Sequence, residues 1–402
     1  MKKRILIFSL GYYPLPIGGA EIAIKEITDR VAPDEYEFHL VCNGYNNALP
    51  KEEKIGNVHV HRIGLMTKNP DIADLRKLPL HLNKVLYQWQ AFRAAKRLHQ
   101  TEAFDGIWAM MAHSTGVPAA KFKRAFPDVQ FILTLQEGDP PVYIERKMRW
   151  FEPWFTRSFR TADVIQVISA FLGNWAKQKG FMGTPVLIPN AVTTAHFTQP
   201  ISTDTRREVR RAFGVLDTDT LLVTTSRLVP KNAIDDVIRA LPLLPMSVKF
   251  VVFGTGPDES KLKMLTHEFG VAERVLFRGH IEHRDMPKYL KSCNIFIRPS
   301  RSEGMGNSFI EAMAAELPVI ATQEGGIADF LFDAVRNPDK QPTGWAVDRN
   351  SPESIARAVV QILEQTEQTV AVTKHAKEMV ITKYDWDLIA DRMKEEIFAS
   401  IH

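Results

Sequence analysis

Two doubly wound α/β domains in tandem are predicted by three features of the sequence. The chain has 402 residues, more than one ordinary core accommodates. Short apolar runs alternate with amphipathic helical patterns, the signature of parallel sheets covered by helices on both faces. After a polar stretch near the middle, the same alternation starts again.

In the first half, strands are read at 4–10, 37–43, 58–63, 106–110, 130–135, 164–167 and 186–188, and helices at 20–31, 79–99 and 170–179. In the second half, strands are read at 221–227, 248–253, 275–278, 294–298 and 318–321. Helices there begin near Ala233, Asp258, Arg284 and Ser308. Residues 190–204 are polar and read as the linker. The segment 385–401 puts Trp386, Ile389, Met393 and Ile397 on one helical face.

Composition bounds the function. At 45% hydrophobic and 24% charged residues, the chain is an ordinary folded protein. Cys42 and Cys293 lie far apart, so a disulfide framework is excluded and a reducing, cytoplasmic setting fits. The run from Ile5 to Leu10 after three basic residues mimics a signal peptide. It is short and is followed by turn formers, so a buried first strand is the reading. No apolar stretch reaches the roughly 20 residues of a spanning helix. Charge is uneven: residues 1–195 hold 25 Lys and Arg against 18 Asp and Glu, whereas the rest hold 26 against 29. The basic half therefore faces something anionic. No nucleic-acid module is visible, which leaves an anionic membrane surface or a phosphorylated acceptor.

Ligands of doubly wound sheets bind outside the carboxyl ends of the strands, so chemistry is sought in the loops that follow strands. The run from Arg298 to Glu311 passes from strand to polar loop to helix. Gly304 and Gly306 let backbone amides approach a ligand closely, and the helix start suits phosphate. Glu303 can accept hydrogen bonds from sugar hydroxyls, and Glu311 from ribose hydroxyls. The spacing of Ser308 and Glu311 is also that of a capping box, which needs no ligand. Gly18 and Gly19 open a helix and permit approach to a diphosphate, although they form no G-x-G-x-x-G pattern. Arg227 and Lys231 can clamp a diphosphate or be solvated surface cations. The tip Gln136-Glu137-Gly138-Asp139 can position or deprotonate an acceptor. His113, after the strand 106–110, is a further candidate, although a lone histidine is more often structural. Asp217 and Asp219 precede a strand, at the wrong end of a sheet for a nucleotide site, and no convincing metal-ligand spacing is present.

Together these segments resemble the family 4 retaining glycosyltransferases of the GT-B fold. The resemblance spans most of the chain. It runs through Gly18-Gly19, the approach to Asn190, Arg227 to Lys231, Gly254-Thr255-Gly256, Glu303-Gly304 with Glu311, Gly325-Gly326 and Trp386. The glutamates eight positions apart, followed by Ala312-Met313-Ala314, are its specific part. It implies two Rossmann-like domains, 1–193 and 194–384, with their sheets facing an interdomain cleft and the helix of 385–402 crossing back to the first. It implies no cofactor and no metal. The donor is a nucleotide-diphosphate sugar such as a UDP-sugar, and the acceptor a hydroxyl of a glycan, lipid-linked or small molecule.

In this reading Arg227 and Lys231 bind the diphosphate, Glu311 the ribose and Glu303 the sugar. Amides of Gly304, Met305, Gly306 and Asn307 line the sugar or phosphate, and Gly18 and Gly19 border the diphosphate. Glu303, Asp139, Gln136 and His113 are the catalytic candidates, with Asp139 orienting the acceptor hydroxyl and Gln136 bonding the donor sugar. Three positions depart from the family pattern. Asn232 stands where the lysine is usual, Gln136 where a histidine is usual, and 190–193 read Asn-Ala-Val-Thr in place of Asn-Gly-Val-Asp. They motivate two other readings: a relative that binds without turnover, or another GT-B enzyme such as a phosphorylase or nucleotide-sugar epimerase. Finally, residues 143–160 hold five basic and two acidic residues among Trp150, Phe151, Trp154, Phe155 and Phe159. Aromatics spaced by three and four fall on one helical side. They either pack into the first domain or dock on anionic lipid at the inner face of a membrane.

Overall fold

The computed structural model describes residues 2–14, 18–70 and 74–401. The chain divides into two compact units, Met1–Asn190 with Trp386–His402, and Ala191–Asp385.

The first unit is built on an eight-stranded sheet. Its strands are β1 (Lys3–Phe8), β2 (Tyr36–Asn43), β3 (Glu52–Ile55), β4 (Val58–Ile63), β5 (Gly106–Met110), β6 (Gln130–Leu135), β7 (Val164–Val167) and β8 (Val186–Leu187), in the order β3-β4-β2-β1-β5-β6-β7-β8. All neighbours are parallel except β3 and β4. The central strands are apolar throughout because helices cover both faces; Ile5 to Phe8 are wholly buried. The expected strands at 58–63, 106–110, 130–135 and 164–167 have those bounds in the structure. β3 was not foreseen. It is a charged, partly exposed edge strand, and edges of this kind carry charge in place of an apolar signal.

The second unit carries a six-stranded, wholly parallel sheet. Its strands are β9 (Thr220–Thr225), β10 (Val248–Phe253), β11 (Val275–Gly279), β12 (Ile295–Arg298), β13 (Val319–Ala321) and β14 (Trp345–Ala346), in the order β11-β10-β9-β12-β13-β14. This is the Rossmann-type order, in which the direction of winding reverses between β9 and β12. The same reversal falls between β1 and β5 in the first unit. Helix ends follow from local chemistry. Ser202 accepts from the Thr205 amide at 3.0 Å to open the helix Thr203–Phe213, and Gly214, at φ +73, closes it.

Two sequence readings gain detail. Residues 190–204, read as the linker, carry structure of their own. They contain the helix Thr194–Thr198, whose Thr194 amide donates to Asp385 at 3.1 Å and whose Phe197 is buried. The 143–160 segment, where Pro153 can kink a helix or begin a new one, is divided. It breaks into Pro141–Met148, a 3-10 turn Arg149–Phe151 and Glu152–Thr161, because Pro153 lacks the amide that would continue the first helix. The break divides the aromatics. Phe155 and Phe159 are buried against Trp175, at 6.1 and 5.2 Å between ring centres, whereas Trp150 is 80% exposed.

The last segment returns to the first unit as the helix Trp386–Arg392 followed by a π-turn and a 3-10 turn. Trp386, Ile389, Met393 and Ile397 are buried, and Phe398 packs against Phe38 and Trp108 at 5.7 and 5.3 Å. Phe155→Ala should therefore destabilise the protein by about 3–5 kcal/mol, whereas Trp150→Ala should stay within about 0.5 kcal/mol of wild type. Urea unfolding followed by far-UV circular dichroism distinguishes them; similar midpoints for the two variants would contradict this division.

Candidate active site

In the second unit, the loops after β9 and β12 converge at the reversal of strand order. Arg301 ties them together. Its backbone amide donates to the Lys231 carbonyl at 2.6 Å, and its guanidinium grips both Asp235 oxygens at 2.9 Å and Asp236 at 2.8 Å. Beneath the second loop lies Arg298, only 6% exposed. It donates to Ser308 Oγ at 2.7 Å and to Glu303 Oε2 at 3.0 Å, and its guanidinium lies 4.2 Å from the Phe309 ring centre. Lys231 Nζ approaches Glu303 Oε1 at 3.9 Å, and the Gly304 amide donates to the same oxygen at 3.1 Å. Glu303 thus faces two cations and one amide.

The capping-box reading of Ser308 and Glu311 does not hold. The helix Asn307–Ala314 is capped by Gly306 without a side-chain bond. Ser308 Oγ is taken by Arg298, and Glu311 Oε1 meets His283 Nε2 at 3.0 Å. The helix start therefore has backbone amides without a side-chain cap, and Glu311 is positioned by His283 from the loop after β11. Arg227 is exposed, and its side chain has no hydrogen bond or ion pair among the described residues. Met305 is 2% exposed, so only its backbone can face a ligand. Asn232, 4% exposed, donates to the Arg227 carbonyl at 2.6 Å. Thr225 Oγ1, Ser226 Oγ and Ser300 Oγ are buried here without partners. These are orphans among the described residues, a rare state in folded proteins, and they gather at the carboxyl ends of β9 and β12.

Two glycine positions shape this surface. Gly325 sits at φ +63, and a Cβ there would overlap the Glu303 carbonyl oxygen. Its neighbour Gly326 donates to that oxygen at 3.0 Å. Gly306 sits at φ +88 with a Cβ position 2.5 Å from Arg298 Nη2. Both are the residue that a left-handed backbone pressed against a neighbour requires.

In the first unit, the loops after β1, β5 and β6 hold the other candidates. Gly18 and Gly19 are exposed at the start of the helix Gly19–Arg30; residues 15–17 of their loop lie outside the described residues. The Gly18 amide is taken by Glu21 Oε2 at 2.7 Å, so an anion of the chain already occupies that donor. Burial raises the Glu21 carboxyl above its ordinary pKa. After β5, Met111 adopts φ +68, unusual for a residue with a side chain, and a π-turn presents His113. The structure joins His113 to Glu137, whose Oε1 lies 3.3 Å from His113 Nδ1. Glu137 is 2% exposed, and its Oε2 has no partner. Its proximity to His113 was invisible in sequence, since 24 positions separate them.

Gln136 does not stand free for a sugar. It exchanges two hydrogen bonds with Asn190, at 3.0 and 3.2 Å, so it orders the chain where the first unit ends. Asp139 is half-exposed, with no bond from its carboxylate among the described residues. Asp217 and Asp219 precede β9, and Asp217 is largely exposed. Asp219 accepts from the Leu216 amide at 2.8 Å and pairs with Lys249 at 2.8 Å. Among the described residues, no helix is long and apolar enough to cross a membrane.

Comparison with known proteins bears on this geometry. A family model for Glycosyltransferase Family 4 matches residues 17–196, and one for Glycosyl transferases group 1 matches residues 205–379. The chain is 25% identical over 396 residues to an uncharacterized glycosyltransferase of Methanocaldococcus jannaschii, covering 96% of each. It is 30% identical over 244 residues to a GDP-mannose-dependent alpha-(1-6)-phosphatidylinositol monomannoside mannosyltransferase of Mycobacterium tuberculosis. That match covers 58% of this chain and 61% of the mannosyltransferase, less than two thirds of its length. The fold is shared with Anabaena HepE, solved in complex with UDP and glucose, at a TM-score of 0.76 and 18% identity over 99% of this chain and 100% of that one.

The support of the Glu303 loop by Gly325 can be tested against a neutral glycine. Gly214 has φ +73 but open space around its Cβ position. Gly214→Ala should cost about 1 kcal/mol from backbone strain alone. Gly325→Ala should lower the thermal midpoint further, because it must also displace the Glu303 backbone. Equal shifts in calorimetry would show that the contact is relieved without cost.

Proposed function

The chain belongs to the family 4 glycosyltransferases and has their GT-B fold, and from that premise we propose that it moves a sugar from a nucleotide-diphosphate sugar to an acceptor hydroxyl with retention of anomeric configuration. The observation that carries the donor reading is the grouping of Arg227, Lys231, Glu303 and Glu311 on the loops at one reversal of strand order. Arg227, exposed and without an ion pair among the described residues, binds the diphosphate with Lys231. Glu311, held by His283, takes the ribose hydroxyls. Glu303 bonds the sugar, and the amides of Gly304 to Asn307 line it. The mannosyltransferase relative is named for GDP-mannose and HepE holds UDP; both support a nucleoside-diphosphate donor.

In the transfer, the bond from the anomeric carbon to the diphosphate breaks, and the acceptor oxygen bonds the same face. The acceptor proton leaves to a base. Charge on the departing diphosphate is stabilised by Arg227, Lys231 and the helix amides, so the transfer itself needs no metal ion. Glu311→Ala should weaken nucleotide binding by roughly 1.5–3 kcal/mol, and Lys231→Ala should lower donor affinity as well. Calorimetry with nucleoside diphosphates reads both. Wild-type affinity in Glu311→Ala and Arg227→Ala together would remove this site.

The acceptor is proposed to be lipid-linked, with the protein docking on the cytoplasmic face of an anionic membrane. The first unit supports this with an exposed aromatic and basic surface. Trp150 and Val142 are 80% and 79% exposed. Trp89, from the helix Asn83–Glu102, packs 5.4 Å from Phe151. Arg149 lies over Trp150 at 5.0 Å, Lys147 over Tyr143 at 4.1 Å and Lys121 over Trp89 at 4.9 Å. Aromatic rings beside cations suit the headgroup layer, where each cation adds about 1 kcal/mol near an anionic surface. Flotation with vesicles should require anionic lipid, weaken with salt, and drop when Arg146, Lys147 and Arg149 become Gln. Protein that stays at the bottom of the gradient at low salt would leave a soluble acceptor.

A further inference from the structure

A second group of polar side chains lies on the eight-stranded sheet, away from the loops at its carboxyl edge. Glu37 and His39 are two apart on β2, and His59 and His61 two apart on β4, where His39 pairs with His59 and Glu37 precedes that pair by two. Residues two apart on a strand share a face. The opposite face of β2 carries Tyr36 and Phe38, which pack on Phe398. Glu52 on β3 pairs in register with His61. Glu102, the last residue of the helix Asn83–Glu102, comes to the same place. His39 is 5% exposed. Its Nε2 lies 2.9 Å from Glu37 Oε1, its Nδ1 lies 3.1 Å from His61 Nε2, and its ring stacks on His59 at 5.0 Å.

We propose that Glu37, His39 and Glu102 form a structural site for a divalent transition-metal ion of the Zn2+ class. One ligand atom from each lies within 4.8 Å of the others, so small side-chain movements bring three donors to the roughly 2.0–2.2 Å of a zinc bond. A ligating histidine gives its other ring N–H to an outer partner, which fixes its tautomer. His61 Nε2 occupies that position at His39 Nδ1, and Glu52 stands behind His61 at 3.5 Å. With the hydrogen on Nδ1, the Nε2 lone pair points toward Glu37. One imidazole and two carboxylates offset the charge of a divalent ion and leave a fourth position for water. An imidazole in the set favours Zn2+ and its neighbours over Mg2+ or Ca2+.

Other charges face this group. Lys2 and Arg4 approach Glu37 at 3.1 and 3.9 Å. Both cations are about 40% exposed, with side-chain values of 39% and 43%, so an ion can displace them toward water. The position separates this site from the transfer chemistry. Glu37 is the second residue of β2, near the amino ends of strands whose ligands bind at their carboxyl ends. A bound ion would pin the end of the helix Asn83–Glu102 to the sheet. This proposal is independent of the donor-site reading.

The test uses the full-length protein, freed of metal with a chelator and dialysed. Calorimetric titration with Zn2+ should show one equivalent bound, and Zn2+ should raise the thermal midpoint while Mg2+ at equal concentration does not. Co2+ should give visible d–d absorption. Glu102 is half-buried at a helix end, so Glu102→Gln should keep the wild-type circular dichroism yet bind Zn2+ at least about tenfold more weakly and lose the Co2+ band. Glu37→Gln should behave alike. His39→Gln, at a buried position, is the harsher variant and is read only alongside these two. Absence of stoichiometric Zn2+ binding overturns the proposal, as does wild-type affinity in both Glu102→Gln and Glu37→Gln, which would put the ion elsewhere. Nucleotide affinity should be unchanged in both glutamate variants.

Discussion

A buried guanidinium, that of Arg298, is the constraint on which the Glu303 loop depends. A charge removed from water must be paired and hydrogen-bonded or its desolvation cost dominates. The two terminal nitrogens of Arg298 meet that demand with Glu303, Ser308 and the Thr225 carbonyl, while its Nε is buried with no hydrogen-bond partner among the described residues. Much of the surrounding conformation follows. Gly306 is a glycine because Arg298 lies where a Cβ would go. Ser308 lies inside its helix, one residue past the start, and its hydroxyl accepts from Arg298. Glu303 turns inward rather than into solvent. Removing Glu303 would strand a buried cation, a loss of about 3–5 kcal/mol by analogy with other broken buried pairs. A fall in transfer rate on that substitution therefore mixes stability with chemistry, and Glu311, which bonds His283 instead, is the cleaner probe of the donor site.

The first unit poses the mirror problem. Glu137 is buried beside His113 without a cation within hydrogen-bonding range of its second oxygen. A carboxylate so placed is either costly or useful. The positive φ of Met111 points to the same conclusion, since backbone strain of this kind persists where the surroundings over-determine it and clusters at functional sites. Met111 and His113 lie directly after β5, at the reversal of strand order, and Glu137 meets them from the loop after β6. The two units thus gather unusual polar groups at the carboxyl edge of a doubly wound sheet, where ligands of such sheets bind, with different residue types.

The sheets were legible in sequence because their strands are buried on both faces and read as unbroken apolar runs. Ile5 to Phe8 and Phe250 to Phe253 could be little else. What escaped was set by context. β3 is charged because it is an edge, and β14 is two residues long. The 190–204 stretch looked like a linker since its polarity gave no hint that Asp385 would cap it. Within the site, the glutamates were recognisable by their spacing, but their partners were not. Arg298 passed as the end of a strand, His283 was not singled out, and Gln136 passed as a ligand group when its amide is committed to Asn190. Spacing along the chain identifies loops; which side chains meet across loops depends on the sheet order, and no local pattern carries that.

The loop after β9 shows how a departure from a family pattern can be absorbed. Asn232 occupies the usual lysine position, but a lysine there would have to bury its stem and charge, because Asn232 is 4% exposed and bonded to the Arg227 carbonyl. The turn Pro230–Asn232 is a 3-10 turn, in which one residue advances the side chain by a third of a revolution. Moving the lysine one position earlier therefore changes its direction as well as its place. Lys231 leaves the turn toward Glu303, with its ammonium 3.9 Å from the carboxylate. The amide at 232 closes the loop that a longer side chain would have to leave open, and it fixes the backbone of Arg227. Cation and loop geometry are thus supplied by adjacent residues with separate tasks, so neither can be exchanged for the other without loss.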